Sequence, residues 1–192
     1  LWAKYRVMEG GGRPVHTAVC GTRDDAGNPV ERGTLFECAS LTKSLFATLV
    51  MHLVDEGRLV LERPVTEQYG HEHWTDAPRY LTITPIHCLS HGTGFPNWGP
   101  KPMNIAFEPG TAFSYSGEGY YLLQHMVEQI EGKPLEESFR TYFYRPWGMD
   151  HTAVDWTPDV GQKLSWGYGM DSRVRKIRDY HDDAGNGPEP NA

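Results

Sequence analysis

Ser40-Leu41-Thr42-Lys43 opens the most strongly apolar helical stretch of the chain. Residues three apart in a helix share one face, so the Lys43 amine can reach the Ser40 hydroxyl and accept its proton, leaving Ser40 as a nucleophile. A lysine does this near neutral pH only if its pKa is pulled down, and burial near the positive N-terminal end of a helix acts in that direction. The same position lets the Ser40 backbone N–H serve as one donor of an oxyanion hole. With eight Ser and six Lys in 192 residues, chance supplies roughly a quarter of one Ser-x-x-Lys. A helix cap followed by a solvated lysine is the plain alternative, so the tetrapeptide needs context.

The surrounding elements can be read from periodicity and turn signals. Two apolar stretches, Tyr5 to Met8 and Val15 to Cys20, flank Gly10-Gly11-Gly12-Arg13-Pro14 and predict two strands joined by a tight turn. Leu41, Leu45, Phe46, Leu49, Val50, Leu53 and Val54 recur at three- and four-residue steps, which predicts a helix packed along one broad face and stopped by Gly57. Thr84-Pro85 reads as an N-cap with Pro at the first helical position, opening a short helix through Leu89 that ends in Ser90-His91-Gly92-Thr93-Gly94. The Gly- and aromatic-rich stretch from Phe107 to Tyr121 reads as loop. Leu122, Leu123, Met126, Val127 and Ile130 predict a second amphipathic helix closed by Gly132, and Leu135 to Tyr142 a third, ended by Pro146 and Gly148. Beyond about residue 155 the periodicity fades, apart from a strand near Trp166 to Met170, and the last dozen residues hold no packed element by themselves.

A chain of 192 residues suits one domain of ordinary size or two interleaved subdomains. Its net charge of -7 argues against nucleic acid or an anionic membrane engaged by charge alone. The basic run Arg173 to Arg178 is flanked by Asp171, Asp179, Asp182 and Asp183, which reads as a solvated loop. No apolar run reaches the ~18 residues of a membrane span. Cys20, Cys38 and Cys88 are odd in number and lack metal-ligand spacing. The opening residues have neither the basic start nor the apolar core of a signal peptide, and the compartment stays open. Among the nine histidines, His71-Glu72-His73 and the pair His87 and His91 are the best metal candidates, but the pair lacks the glutamate of a His-Glu-x-x-His site. Trp98, Trp147, Trp156 and Trp166 could line an apolar cleft, with packing the commoner use.

Three blocks in order supply the context for Ser40. Leu35-Phe36-Glu37-Cys38-Ala39-Ser40-Leu41-Thr42-Lys43-Ser44 resembles the nucleophile region of the serine β-lactamase and penicillin-binding-protein superfamily, in the branch of class C β-lactamases, D-alanyl-D-alanine peptidases and related carboxylesterases. Cys88-Leu89-Ser90-His91-Gly92-Thr93-Gly94-Phe95-Pro96 is similar to its Leu-Leu-Ser-His-Thr-Ser-Gly-Leu segment. Phe107-Glu108-Pro109-Gly110-Thr111-Ala112-Phe113-Ser114-Tyr115-Ser116 is similar to its Pro-Gly-x-x-Phe-x-Tyr-Ser segment. The resemblance covers roughly residues 15 to 170. It implies Ser40 as nucleophile, Lys43 as proton acceptor, and Tyr115 as the tyrosine that shuttles a proton to the leaving group, with Lys43 and Tyr115 acting as a coupled pair.

Two departures qualify what the resemblance implies. The family's second motif is usually Tyr-x-Asn, whose amide helps hold the substrate's amide side chain, and here Gly117 stands in the substrate-binding place of that Asn. This favours an esterase-like activity over lactam or peptide hydrolysis. The third motif, Lys-Thr-Gly or His-x-Gly on a sheet strand, is absent, and the chain is expected to be an amino-terminal part of a longer protein or one half of a two-chain assembly. The expected fold is α/β (α+β), β-lactamase/transpeptidase-like, a helical subdomain with an antiparallel sheet that lacks its C-terminal strands. Residues 1–38 would give the first strands of the sheet, 39–160 the mainly helical subdomain, and 161–192 an irregular segment leading to the missing part. The implied function is hydrolysis of a small ester or amide through an acyl-enzyme, without cofactor or metal. The expected partners are a small ester, amide or lactam substrate and a second chain or C-terminal continuation that completes the sheet, with no nucleic acid and no membrane span. The alternative is a catalytically silent member that serves as a ligand-binding or interaction module.

Overall fold

The computed structural model describes residues 3–8, 10–11, 14–69, 74–75, 77–168 and 174–175. In chain order the elements are strands β1 (Ala3–Met8) and β2 (Pro14–Cys20), then helices α1 (Thr42–Asp55), α2 (Val65–Gln68), α3 (Pro85–Leu89), α4 (Gly117–Glu131), α5 (Leu135–Phe139), α6 (Arg145–Trp147) and α7 (Pro158–Lys163), and finally short strands β3 (Gly167–Tyr168) and β4 (Val174–Arg175). Among the described residues, those up to Cys38 together with 151–168 and 174–175 form one compact unit, and Ala39–Asp150 forms the other.

In the first unit β1 and β2 pair antiparallel, with Lys4 opposite Val19 and Val7 opposite His16. The register slips between Val7 and Met8, where Pro14, which has no N–H to donate, faces Met8. β3 pairs antiparallel with β4. Within the first unit the segment after His151 is bonded to the stretch before Cys38. Leu35 N–H donates to Lys163 O at 2.9 Å and Ser165 N–H donates to Leu35 O at 2.8 Å. Of the strand expected over Trp166 to Met170, Gly167–Tyr168 is formed and 169–170 lie outside the described residues. His71 to His73, the basic run apart from Val174 and Arg175, and the last dozen residues also lie outside them.

The second unit is helical because its apolar residues recur at the helical period. On α1 Phe46, Leu49, Val50 and Leu53 are buried, and on α4 Leu122, Leu123, Met126 and Val127 are buried. Removing each such side chain from water contributes about 1.5–3 kcal/mol. Phe46 meets Tyr120 of α4 with ring centroids 6.0 Å apart, so α1 lies on α4 near the start of both helices. At the other end Arg58 donates to Ile130 O at 2.8 Å and pairs with Glu131 at 2.5 Å. Gly132 closes α4 in a left-handed conformation at φ +68°. Among the described residues no helix is long and apolar enough to cross a membrane.

Candidate active site

Ser40 sits in a single 3-10 turn, Ala39–Leu41, that leads directly into α1. Ala39 has φ +42°, a left-handed value that costs a residue with a Cβ about 1–2 kcal/mol. Local strain of this kind is held only where the surrounding chain over-determines it, and here it turns the backbone so that exposed Ser40 stands at the helix entrance. Lys43, in the first turn of α1, is buried.

Tyr115 reaches Ser40 from 75 residues away, its hydroxyl donating to Ser40 Oγ at 2.8 Å. The backbone that carries it is knitted to the turn after α3. Gly110 N–H donates to Gly92 O at 2.8 Å, Ala106 N–H to Gly94 O at 2.9 Å, and Ser114 N–H to His91 O at 3.0 Å. Gly94 is required here twice over. Its φ is +78°, and a Cβ would lie 2.8 Å from Ile105 Cγ2 and 2.9 Å from Phe107 O. The second and third sequence blocks are thus one structural knot, and Tyr115 emerges from it.

His91, itself at φ +57°, braces the Tyr115 ring. Its ring centroid is 4.3 Å from that of Tyr115, 5.1 Å from that of Tyr120 and 5.7 Å from that of Phe113. Its Nδ1 accepts from Ser116 N–H at 3.1 Å, which requires an unprotonated nitrogen. Burial, together with the nearby Lys43 charge, holds the His91 pKa below the usual histidine value. The Lys43 ammonium lies 5.2 Å from the Tyr120 ring centroid and 5.6 Å from that of Tyr115, so its charge rests against two aromatic faces. Among the described residues Lys43 makes no ion pair, and the hydrogen bond to Ser40 comes from Tyr115, not from Lys43.

Gly117 begins α4 immediately beyond Ser116, whose Oγ accepts from Gly119 N–H at 2.9 Å as the helix cap. Its side-chain direction is closed: a Cβ at 117 would lie 2.6 Å from two ring atoms of Trp98. The candidate metal pair is committed elsewhere. His87 Nδ1 accepts from Thr84 N–H at 3.3 Å, and among the described residues no group of three His, Cys, Asp or Glu is placed to hold a metal ion. Cys88 is fully buried, and desolvation pushes its thiol far above the ordinary range, so it is no nucleophile. Sequence reasoning missed the bracing by His91, which it read as a turn residue and as half of a candidate metal pair. Four aromatic or imidazole rings, at positions 91, 113, 115 and 120, were the available signal.

The sequence profile of the Beta-lactamase family matches residues 7–191. The chain belongs to the Beta-lactamase family. Protein Rv1367c of Mycobacterium tuberculosis is 53% identical over 83% of this chain and 49% of its own length. Among solved structures, the beta-lactamase/D-alanine carboxypeptidase from Pseudomonas syringae superposes with a TM-score of 0.72 at 23% identity, over 92% of this chain and 51% of that one. EstCE1, described as a hydrolase with promiscuous acyltransferase activity, superposes with a TM-score of 0.72 at 22% identity, over 93% of this chain and 54% of that one. The Beta-lactamase family chain therefore has the β-lactamase/transpeptidase-like fold, helices with a small antiparallel sheet, and spans about half the length of these relatives.

Proposed function

We propose that the protein is a serine hydrolase that acts by acyl transfer through Ser40 and prefers small esters to β-lactams. The observation that carries this reading is the 2.8 Å hydrogen bond from the Tyr115 hydroxyl to Ser40 Oγ, made beside the buried Lys43 side chain. In this reaction Lys43 acts as the neutral amine: Ser40 Oγ forms a bond to the ester carbonyl carbon while its proton passes to the Tyr115 oxygen and the Tyr115 hydroxyl proton passes to the Lys43 amine. The C–O bond to the alcohol then breaks, and the same pair returns the proton to the departing oxygen. Water, deprotonated along the same path, releases the acid and restores Ser40. Lys43 is the net proton acceptor, and Tyr115 carries the proton between it and Ser40. Gly117, with Trp98 against it, offers no side-chain amide to orient a lactam or peptide, which supports the ester preference.

A serine-reactive fluorophosphonate tests the assignment of the nucleophile. Peptide mass spectrometry of the full-length protein should place the adduct on Ser40, and hydrolysis of a short-chain 4-nitrophenyl ester should disappear in Ser40→Ala. Efficient cephalosporin turnover with poor ester turnover would show that another group supplies what Gly117 lacks.

A further inference from the structure

The space that a side chain at Gly117 would use is taken by a residue from elsewhere in the sequence. A Cβ there would fall 2.6 Å from Cη2 and Cζ2 of Trp98 and 2.8 Å from Asn97 O, so the indole fills the volume that a side chain at 117 would use. The loop that carries the indole is held there by a dense set of bonds. Gly117 N–H donates to both Asn97 O and Asn97 Oδ1 at 3.0 Å, and Glu118 N–H to Asn97 O at 3.2 Å. Gly99 N–H donates to Glu118 Oε1 at 3.1 Å, and the Ser116 hydroxyl to Pro96 O at 2.9 Å. Residues 96–99 are thereby pinned to the first turn of α4, next to Tyr115.

This anchoring does not bury the ring. Trp98 keeps 40% of its surface exposed, Phe113 keeps 71% and Leu41, adjoining Ser40, keeps 73%. Large apolar side chains that are ordered and still exposed are costly for solubility and useful for recognition, because a ligand that covers them loses little additional conformational freedom. An acyl group with hydrogen-bonding substituents finds no side-chain donor at 117. A flat apolar one finds an aromatic face.

We propose that Trp98 is the specificity-determining residue of the Ser40 site and selects esters whose acyl part carries an aromatic ring or a similarly flat apolar group over esters with a small acyl part. The proposal rests on Ser40 being the nucleophile, and two measurements separate the two ideas. In the full-length protein, kcat/KM for 4-nitrophenyl phenylacetate relative to 4-nitrophenyl acetate should fall about tenfold in Trp98→Ala, with most of the ratio kept in Trp98→Phe. An equal loss on both esters, which is what a merely structural role gives, or an unchanged ratio would overturn it. The second measurement needs no turnover. In Ser40→Ala protein, NMR titration should show phenylacetamide binding more tightly than acetamide, and Trp98→Ala should remove that advantage. An advantage that survives loss of Trp98, in protein whose circular dichroism is unchanged, counts against the proposal. Binding that depends on Trp98 in a protein that turns over no ester would leave Trp98 standing and remove the hydrolase reading.

Discussion

Tyr115→Phe separates chemistry from structure more cleanly than any other substitution at this site. It deletes one hydroxyl, the one 2.8 Å from Ser40 Oγ, and keeps the ring that stacks at 4.3 Å on His91 and lies 5.6 Å from the Lys43 ammonium. Tyr115 is 41% exposed, and a hydroxyl-to-hydroxyl bond contributes about 0.5–1.5 kcal/mol at most. For a protein of this size that shifts Tm by about 1–6 °C. The rate is another matter. Losing a positioned proton-transfer group lowers kcat about 10²- to 10⁴-fold, equivalent to about 2.7–5.4 kcal/mol of barrier. Steady-state hydrolysis of a short acyl ester, run beside a thermal melt, should show a large fall in kcat with a nearly unchanged Tm. Turnover within threefold of wild type, with the melt unchanged, would refute a proton-transfer role for Tyr115.

Other substitutions probe the remaining parts of the site. Lys43→Met keeps a long side chain in a buried position and removes its amine; ester turnover should fall at least about 100-fold while the protein still folds, and retained turnover would show that Tyr115 works without the amine. Gly94→Ala must fit a Cβ 2.8 Å from Ile105 Cγ2 at φ +78°, so denaturant unfolding should show a loss of about 2–4 kcal/mol, and a change under 0.5 kcal/mol would mean that the knot relaxes freely. The pKa values of His91 and His87 are both lowered, chiefly by burial, so the unfolded chain binds protons that the native one refuses. Stability should be full above the unfolded value of about 6.5 and decline as pH falls below it. His91→Asn, which offers Ser116 N–H a non-titrating acceptor and tolerates positive φ, should flatten that decline in melts between pH 7.5 and 5.5; an unchanged slope assigns the pH dependence to other groups.

The helices of the second unit could be read in advance because burial imposes a period that the sequence shows directly: Leu49, Val50 and Leu53 on α1, Leu122, Leu123, Met126 and Val127 on α4. Ser40, Lys43 and Tyr115 could be named as candidates because each falls in a contiguous block. What could not be read depended on distant contacts or on elements without an apolar stripe. Helix α4 starts at Gly117, ahead of its first apolar residue, because Ser116 caps it and Trp98 crowds position 117. Pro146, expected to stop a helix, lies inside α6 instead. A wide π turn over Arg140–Tyr144 precedes it, with Arg145 N–H bonding Arg140 O, and shifts the hydrogen-bond frame so that the missing N–H of proline goes unneeded. Helix α7 has no buried residue to give it a period, although Thr157-Pro158 carries the same start signal as Thr84-Pro85, and Thr157 Oγ1 accepts from Val160 N–H at 3.2 Å. The place of Trp98 was out of reach for a different reason: a glycine at 117 shows that a side chain is missing, and only the folded 96–99 loop shows what has replaced it.

The central claim is that Ser40 carries the acyl group, and trapping that intermediate tests it most directly. Full-length protein quenched in acid during turnover of a 4-nitrophenyl ester should gain the mass of one acyl group. Peptide mass spectrometry should place that group on Ser40, and Ser40→Ala should gain none. Acylation at Ser44 or Ser116, or ester turnover that persists in Ser40→Ala, would contradict it.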